Sequence, residues 1–201
     1  MSEYIDQQFS DTDFSNTDLQ DQELRNCTFT HCRLIGVNLI EVHTIGCNFS
    51  ECDFTGAALN GSVHEDSTFA NCKFTGANLF VSKFSECRMI GSEFMESKFD
   101  GMTIVGGDWS YTFLRHANLS HQDLRRVQLV EADLYECNLE KSDLRDANLA
   151  RAQLAKAKLF GADLRGANMD NIDFKSFELK GVRLDMGQAI LVAQSFGAKV
   201  D

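Results

Sequence analysis

The chain has 201 residues, 43% hydrophobic and 24% charged, with Lys plus Arg 19 against Asp plus Glu 30 for a formal charge of −11. That is a globular composition, too apolar for general disorder, and of a length that suits one domain. No stretch approaches the roughly 18 apolar residues of a membrane span. There is no proline at all, although an average chain of this length would carry about ten.

The start, Met1-Ser2-Glu3-Tyr4-Ile5-Asp6, is acidic and has no apolar h-region, which argues against a secretory signal. From Tyr4 a frame of five opens: Phe9, Phe14, Leu19, Leu24, Phe29, and onward to Leu179 and Leu184. Of its 37 positions, 19 are Leu and 11 are Phe, and only Thr44 and His64 are polar. Neither a helix, at 3.6, nor a strand, at 2, repeats this way. With the large residue called i, position i−2 is small in 30 of 36 cases between residues 7 and 182, and i−1 is commonly Asp or Asn. Eleven of the 14 glycines fall at i+2. The pattern predicts short straight sides with i and i−2 inward, i−1, i+1 and i+2 outward, and a turn at i+2. Stacked coils joined by backbone hydrogen bonds need every N–H donor, which explains the missing proline.

The triplets Ala77-Asn78-Leu79, Ala132-Asp133-Leu134, Ala147-Asn148-Leu149 and Ala162-Asp163-Leu164 resemble the signature of the pentapeptide-repeat family. The resemblance covers residues 4 to 184. It implies an all-β, right-handed quadrilateral β-helix of about nine coils with four pentapeptides each, roughly 45 Å long at the usual strand spacing. The expected division is a β-helix over 1–184 and a capping or dimerisation tail over 185–201.

Thr44 and His64 differ by one coil, so they stack. They read as a packing variant with satisfied hydrogen bonds, a small ligand or water site being the alternative. Cys27, Cys32, Cys47, Cys52, Cys72, Cys87 and Cys137 all occupy the small inward column. They read as buried free thiols in a reducing, cytoplasmic setting rather than disulfides or metal ligands. From Met102 to Tyr111 the frame strains: Met102 enlarges a small position, Gly106-Gly107 follow, and Trp109 enters the core. A bend or a change of cross-section is expected there.

After Leu184 the rule of five ends. Asp185-Met186-Gly187-Gln188 has capping-box spacing, Met186, Ala189, Ile190 and Ala193 recur at helical spacing with Leu191 and Val192 beside them, and Gly197 is a stop. A short C-terminal α-helix is predicted, either plugging the open end or pairing two copies through Met186, Ala189, Ile190, Leu191, Ala193 and Phe196. The stretch from Val182 to Gly197 is similar to the ending of gyrase-protecting family members, where such a helix joins two rods, and a homodimer is the expectation.

Motifs for catalysis are missing: there is no phosphate-binding glycine loop, no GxSxG, no HExxH and no CxxC. His31, His116 and His121 fall in the outward corner column and His43 in another outward one. No enzyme activity, cofactor or metal is expected. The acidic balance suggests either simple solubility or imitation of DNA. A 45 Å length of B-DNA carries about 26 charges, more than twice the net 11 here. Residues 1–100 hold 16 acids and 6 bases, residues 101–201 hold 14 and 13. The candidate partner-binding acids are Asp11, Asp13, Asp18, Asp21, Glu51, Asp53, Glu93 and Glu96. Together with the resemblance to the fluoroquinolone-resistance (Qnr and MfpA) and self-resistance (McbG and AlbG) groups, these features imply a DNA-mimicking binder of DNA gyrase, with topoisomerase IV a second candidate. Such a protein would protect the enzyme from a poisoning antibiotic without contacting nucleic acid or membrane. A passive interaction scaffold is the alternative. The unbroken frame argues against protruding loops.

Overall fold

The computed structural model describes residues 4–200, so Glu3 of the acidic start lies outside the described residues. The chain divides into two compact units, Met1–Phe113 and Leu114–Asp201.

In the first unit the chain is a four-sided β-solenoid. Strands β1 (Tyr4–Ile5), β3 (Glu23–Arg25), β5 (His43–Ile45), β7 (Val63–Glu65), β9 (Lys83–Ser85) and β10 (Thr103–Val105) stack into one parallel sheet. Strands β2 (Gln8–Ser10), β4 (Thr28–Thr30), β6 (Asn48–Ser50) and β8 (Thr68–Ala70) form a second. Every pairing is parallel and joins residues twenty apart, as in Leu24↔Thr44 and Phe29↔Phe49. The remaining sides are held by single bridges at the same spacing, such as Asp13↔Arg33↔Asp53. Between coils, the N–H at i+2 donates to a carbonyl nineteen residues on, for example Asn16 to Ile35 at 2.9 Å. Each described corner at i+2 has positive φ through Asn171, and most are not glycine. Asp, Asn and Glu there tolerate the left-handed conformation at modest cost; Val81, at φ 58°, is β-branched and half-exposed. Replacing Val81 with asparagine should relieve about 1 kcal/mol of backbone strain and raise the melting temperature by about 2–4 °C, measured by thermal denaturation.

In the second unit the same twenty-residue spacing continues as isolated bridges, for example Asp123↔Asp143↔Asp163↔Arg183, with no continuous strand among the described residues. The ordered strands therefore cover about five turns, fewer than the nine coils expected. The reason is local. At most sides where i−1 is Asp or Asn, its side chain accepts the N–H of i+1, as at Ser15 on Asp13 (2.9 Å), Thr55 on Asp53 (2.9 Å) and Tyr135 on Asp133 (3.1 Å). This Asx turn folds the side into a tight bend instead of an extended strand. The extended sides of the first unit include those with Glu23, Thr28, Val63 and Lys83 at i−1, although Lys73, Glu93 and Lys98 hold only bridges, so the i−1 residue is one influence beside the side's place in the coil.

Large inward residues are buried as expected from Leu19 through Phe174, and Leu179 and Leu184 are half-buried. Phenylalanines stack coil on coil: Phe29, Phe49 and Phe69 have centroids 4.6 and 4.8 Å apart, and Phe54, Phe74 and Phe94 have both spacings at 4.8 Å. All seven cysteines are buried free thiols. Burial pushes the Cys47 thiol up to about 11 and those of Cys87 and Cys137 to about 12, so they remain protonated and unreactive.

The coils are locally irregular in two places. At Gly106 and Gly107 two successive residues take positive φ, 65° and 86°, and Trp109 is fully enclosed against Phe84 and Phe94. Past β10 the first unit has no further strand, so Met102–Tyr111 marks the end of its extended side. Later, Lys156 N–H donates to Ser176 O rather than following the nineteen-residue step that Arg151 makes to Asp170. The irregularity is local and falls beside Phe177, a half-buried ring at a position that is small on most other sides. The twenty-residue register is regained at Asp163↔Arg183, so the frame runs on to Leu184.

The helix α1 (Met186–Ser195) starts as predicted. Asp185 accepts the Gln188 N–H at 3.0 Å and Gln188 Oε1 accepts the Asp185 N–H at 3.0 Å, a complete capping box. Gln188 is buried and its Nε2 donates to the carbonyls of Leu164 and Ala167, which ties the helix to the last full coil.

Candidate protein-interaction surfaces

The units differ sharply in charge. Residues 1–113 hold 17 acids and 6 bases, net −11, while residues 114–201 hold 13 of each. All of the formal excess therefore belongs to the first unit.

The eight candidate acids do not form one face. Asp13, Asp53 and Glu93 share an outward column, but Arg33 and Lys73 stand between them, so charge alternates along the bridges. Arg33 lies 3.7 Å from Asp13. The nearby Ser15 hydroxyl, the bond from the Ser15 N–H, and then Arg33 hold the Asp13 carboxyl below its usual value. Asp11 and Glu51 lie on one corner column, with His31 between them bonded to Glu51 at 3.1 Å. Asp21 and Glu96 sit on two other corners, both in the left-handed region. Asp18 accepts from Asn38 at 2.9 Å. Asp11, Asp13, Asp18, Asp21, Glu51 and Glu96 are exposed, while Asp53 and Glu93 are half-buried. The result is acidity spread around the solenoid.

The neutral unit carries a feature that composition conceals. Asp123-Leu124-Arg125, Asp143-Leu144-Arg145 and Asp163-Leu164-Arg165 recur at twenty, one per coil on one side. Each Arg grips the Asp two residues before it with two bonds, at 2.7 and 2.6 Å, 2.8 and 2.6 Å, and 2.8 and 2.7 Å. These pairs hold the three carboxyls low and push Arg125, Arg145 and Arg165 up. The triplet at fixed spacing was a readable signal that residue-by-residue charge counting passes over. Nearby, the side chain of Asp133 is 6% exposed and receives Arg115 Nε at 2.6 Å. Arg115 and Lys156 both approach the Tyr135 ring, at 5.4 and 5.1 Å from its centre.

Two open grooves line these surfaces. One, of about 480 Å³, is bordered by Lys156, Phe160, Ser176, Phe177 and Lys180. The other, of about 510 Å³, lies among His31, Glu51, Asp53, Asn71 and Lys73. No group of three or more His, Cys, Asp or Glu among the described residues is placed to hold a metal ion. No helix of the described residues is long and apolar enough to cross a membrane.

Of the residues expected to pair two copies, Met186 (78%), Phe196 (62%) and Leu191 (36%) are exposed, as is Ala189. Ile190 and Ala193 are half-buried.

Two family profiles match the chain: "Pentapeptide repeats (8 copies)" over residues 8–43, 47–85 and 137–175, and "Pentapeptide repeat region" over 77–154. No curated protein matches the sequence. Among solved structures, the chain resembles full-length QnrB1, a plasmid-mediated fluoroquinolone resistance protein, at 20% identity and a TM-score of 0.87, covering 98% of this chain and 100% of that one. A trypsin-treated single-substitution form of QnrB1 aligns at 21% identity with a TM-score of 0.85, over 98% and 99% of the two chains. HetL, a pentapeptide repeat protein involved in heterocyst differentiation regulation in the cyanobacterium Nostoc, aligns at 23% identity and a TM-score of 0.50, over 89% and 85%. The chain belongs to the pentapeptide-repeat family.

Proposed function

We propose that this protein binds DNA gyrase and protects it from a gyrase-poisoning antibiotic, acting through contact alone. The observation that carries the reading is the correspondence with QnrB1 over essentially the whole of both chains, where HetL aligns at 0.50. Identity near one fifth gives fold likeness, so the functional step rests on two further features of this chain. The first is that the N-terminal unit holds the entire net −11, which attracts a surface built for DNA. The second is a capped helix that leaves Met186, Leu191 and Phe196 uncovered. Acidity spread around the first unit suits a partner that surrounds the solenoid, as a DNA-binding cleft would, rather than one that docks on a single face. No bond is made or broken in this mechanism, and the setting is cytoplasmic.

Gyrase supercoiling and drug-induced cleavage, measured with and without the protein, test the reading. Reduced cleavage complex at micromolar protein is expected. No response in either assay, with no gyrase retained in a pull-down, would sink it; topoisomerase IV run in parallel decides between the two enzymes.

The uncovered helix residues further support a homodimer joined through α1. Met186→Glu together with Leu191→Glu leaves Gln188 and the capping box in place, so the coil should stay folded. The mass in solution should fall by half, measured by light scattering; an unchanged mass refutes this interface.

A further inference from the structure

We infer that the buried Thr44–His64 pair is a register key, which selects the correct stacking of coils in the first unit. A chain in which a large apolar residue recurs every five positions can slip. A shift of five residues against the neighbouring coil still places Leu or Phe over Leu or Phe, and a shift of twenty skips one coil. Parallel strands with little side-chain distinction between registers are weakly specified.

The exception is this pair. Thr44 and His64 face each other in the β5–β7 ladder and are each 1% exposed. Thr44 Oγ1 lies 2.8 Å from His64 Nδ1, and Nε2 lies 2.9 Å from Ser62 Oγ. Ser62 Oγ donates to Leu59 O at 2.8 Å, so it accepts from Nε2–H, and Nδ1 accepts from the Thr44 hydroxyl. Ser67 Oγ donates to Glu65 O at 2.9 Å, accepts the Cys47 N–H at 3.1 Å and lies 3.2 Å from Thr44 Oγ1. Every donor and acceptor of the neutral ring is used.

The bonds to Ser62 and from Ser62 to Leu59 are local and survive a slip. Those from Thr44 to His64 and from Cys47 to Ser67 cross between coils and do not. With β5 and β7 out of register, His64 would lie over Leu39, Phe49 or Leu24, none of which can donate to Nδ1. A buried, unpartnered ring nitrogen depopulates such a state by about tenfold. A polar group that costs more in the wrong register than it gains in the right one is a specificity device. This role is independent of what the protein binds.

The test is the near-isosteric pair Thr44→Val with His64→Phe, which removes the polar contact and leaves Ser62 and Ser67 with their carbonyls. Refolded from denaturant, the wild type should show one exchange envelope per peptide across residues 23–90 by hydrogen-exchange mass spectrometry. The double variant should show two envelopes there, with a tenth or more of the molecules in the second. His64→Gln, which offers both an acceptor and a donor, should restore one. A single envelope in the double variant, or two in His64→Gln, overturns the proposal. Should the double variant not fold, His64→Leu replaces it with the same two readings, since Thr44 retains Ser67.

Discussion

Replacing Gly107 with alanine is expected to cost at least about 3 kcal/mol of stability, the sum of a main-chain clash and a strained left-handed residue. Gly107 has φ 86°, and a Cβ built on it would stand 2.2 Å from the carbonyl oxygen of Cys87 and 2.9 Å from its nitrogen. Those atoms are backbone, part of the coil beneath, and cannot rotate away. The contact arises because Gly107 occupies the small inward column directly over Cys87, while Trp109 fills the core two residues later. Gly76 is the control. It has φ 65° and nothing within 4 Å of a built Cβ, so Gly76→Ala should cost only about 1 kcal/mol. Urea midpoints of the two variants measure the difference. Equal losses would mean that the close approach to Cys87 is unimportant.

Acid should weaken the fold well before its carboxylates titrate. Burial, and then the charge of His43, lowers the His64 pKa to about 3, while in the unfolded chain it sits near 6.5. Below about 6.5 the unfolded chain therefore takes up a proton that the folded chain refuses. Stability is full above 6.5 and declines as pH falls toward 3, by about 1.4 kcal/mol per pH unit within the window. Carboxyls held low in the folded state, such as Asp13 and Asp143, also lose their contribution in acid, but only below about 4. The unfolding free energy from urea titrations at pH 7 to 4.5 should thus fall by about 2–3 kcal/mol in the wild type. In the Thr44→Val, His64→Phe double variant, the same range should be flatter by that amount. Parallel curves would show that the ring is protonated in the folded state.

Much of this molecule was legible because its period is strict. A large residue every fifth position dictates which side chains enter the core, and each such residue from Leu19 to Phe174 is buried. Asp185 and Gln188 announced the helix, since a capping box uses only local bonds and forms where its spacing occurs. The stacking of Thr44 on His64 followed from counting twenty. The count of ordered turns did not follow from the frame: most Asp and Asn at i−1 fold their side into an Asx turn, yet Arg33, Lys73 and Glu93 also lie on sides held only by bridges. That rule is written in the residues, but it competes with strand pairing, and Asn48 lies within β6 without making the turn. At Phe177 a ring stands where the small column expects a small residue, and the step from Lys156 to Ser176 is locally irregular before the register returns at Arg183. Volume is what a pattern of polar and apolar letters ignores.

For the candidate surfaces the balance is reversed. The surplus of acid in the first half is a sum over residues, and composition alone determines it, as it determines the absence of proline in a chain that needs its ladder donors. Which charges remain free to meet a partner is a matter of neighbours twenty residues away. Arg33 and Lys73 fall between Asp13, Asp53 and Glu93, and Arg125, Arg145 and Arg165 close on their own aspartates. Coulomb energy between charges depends on their separation, and only the stacked coils set that separation.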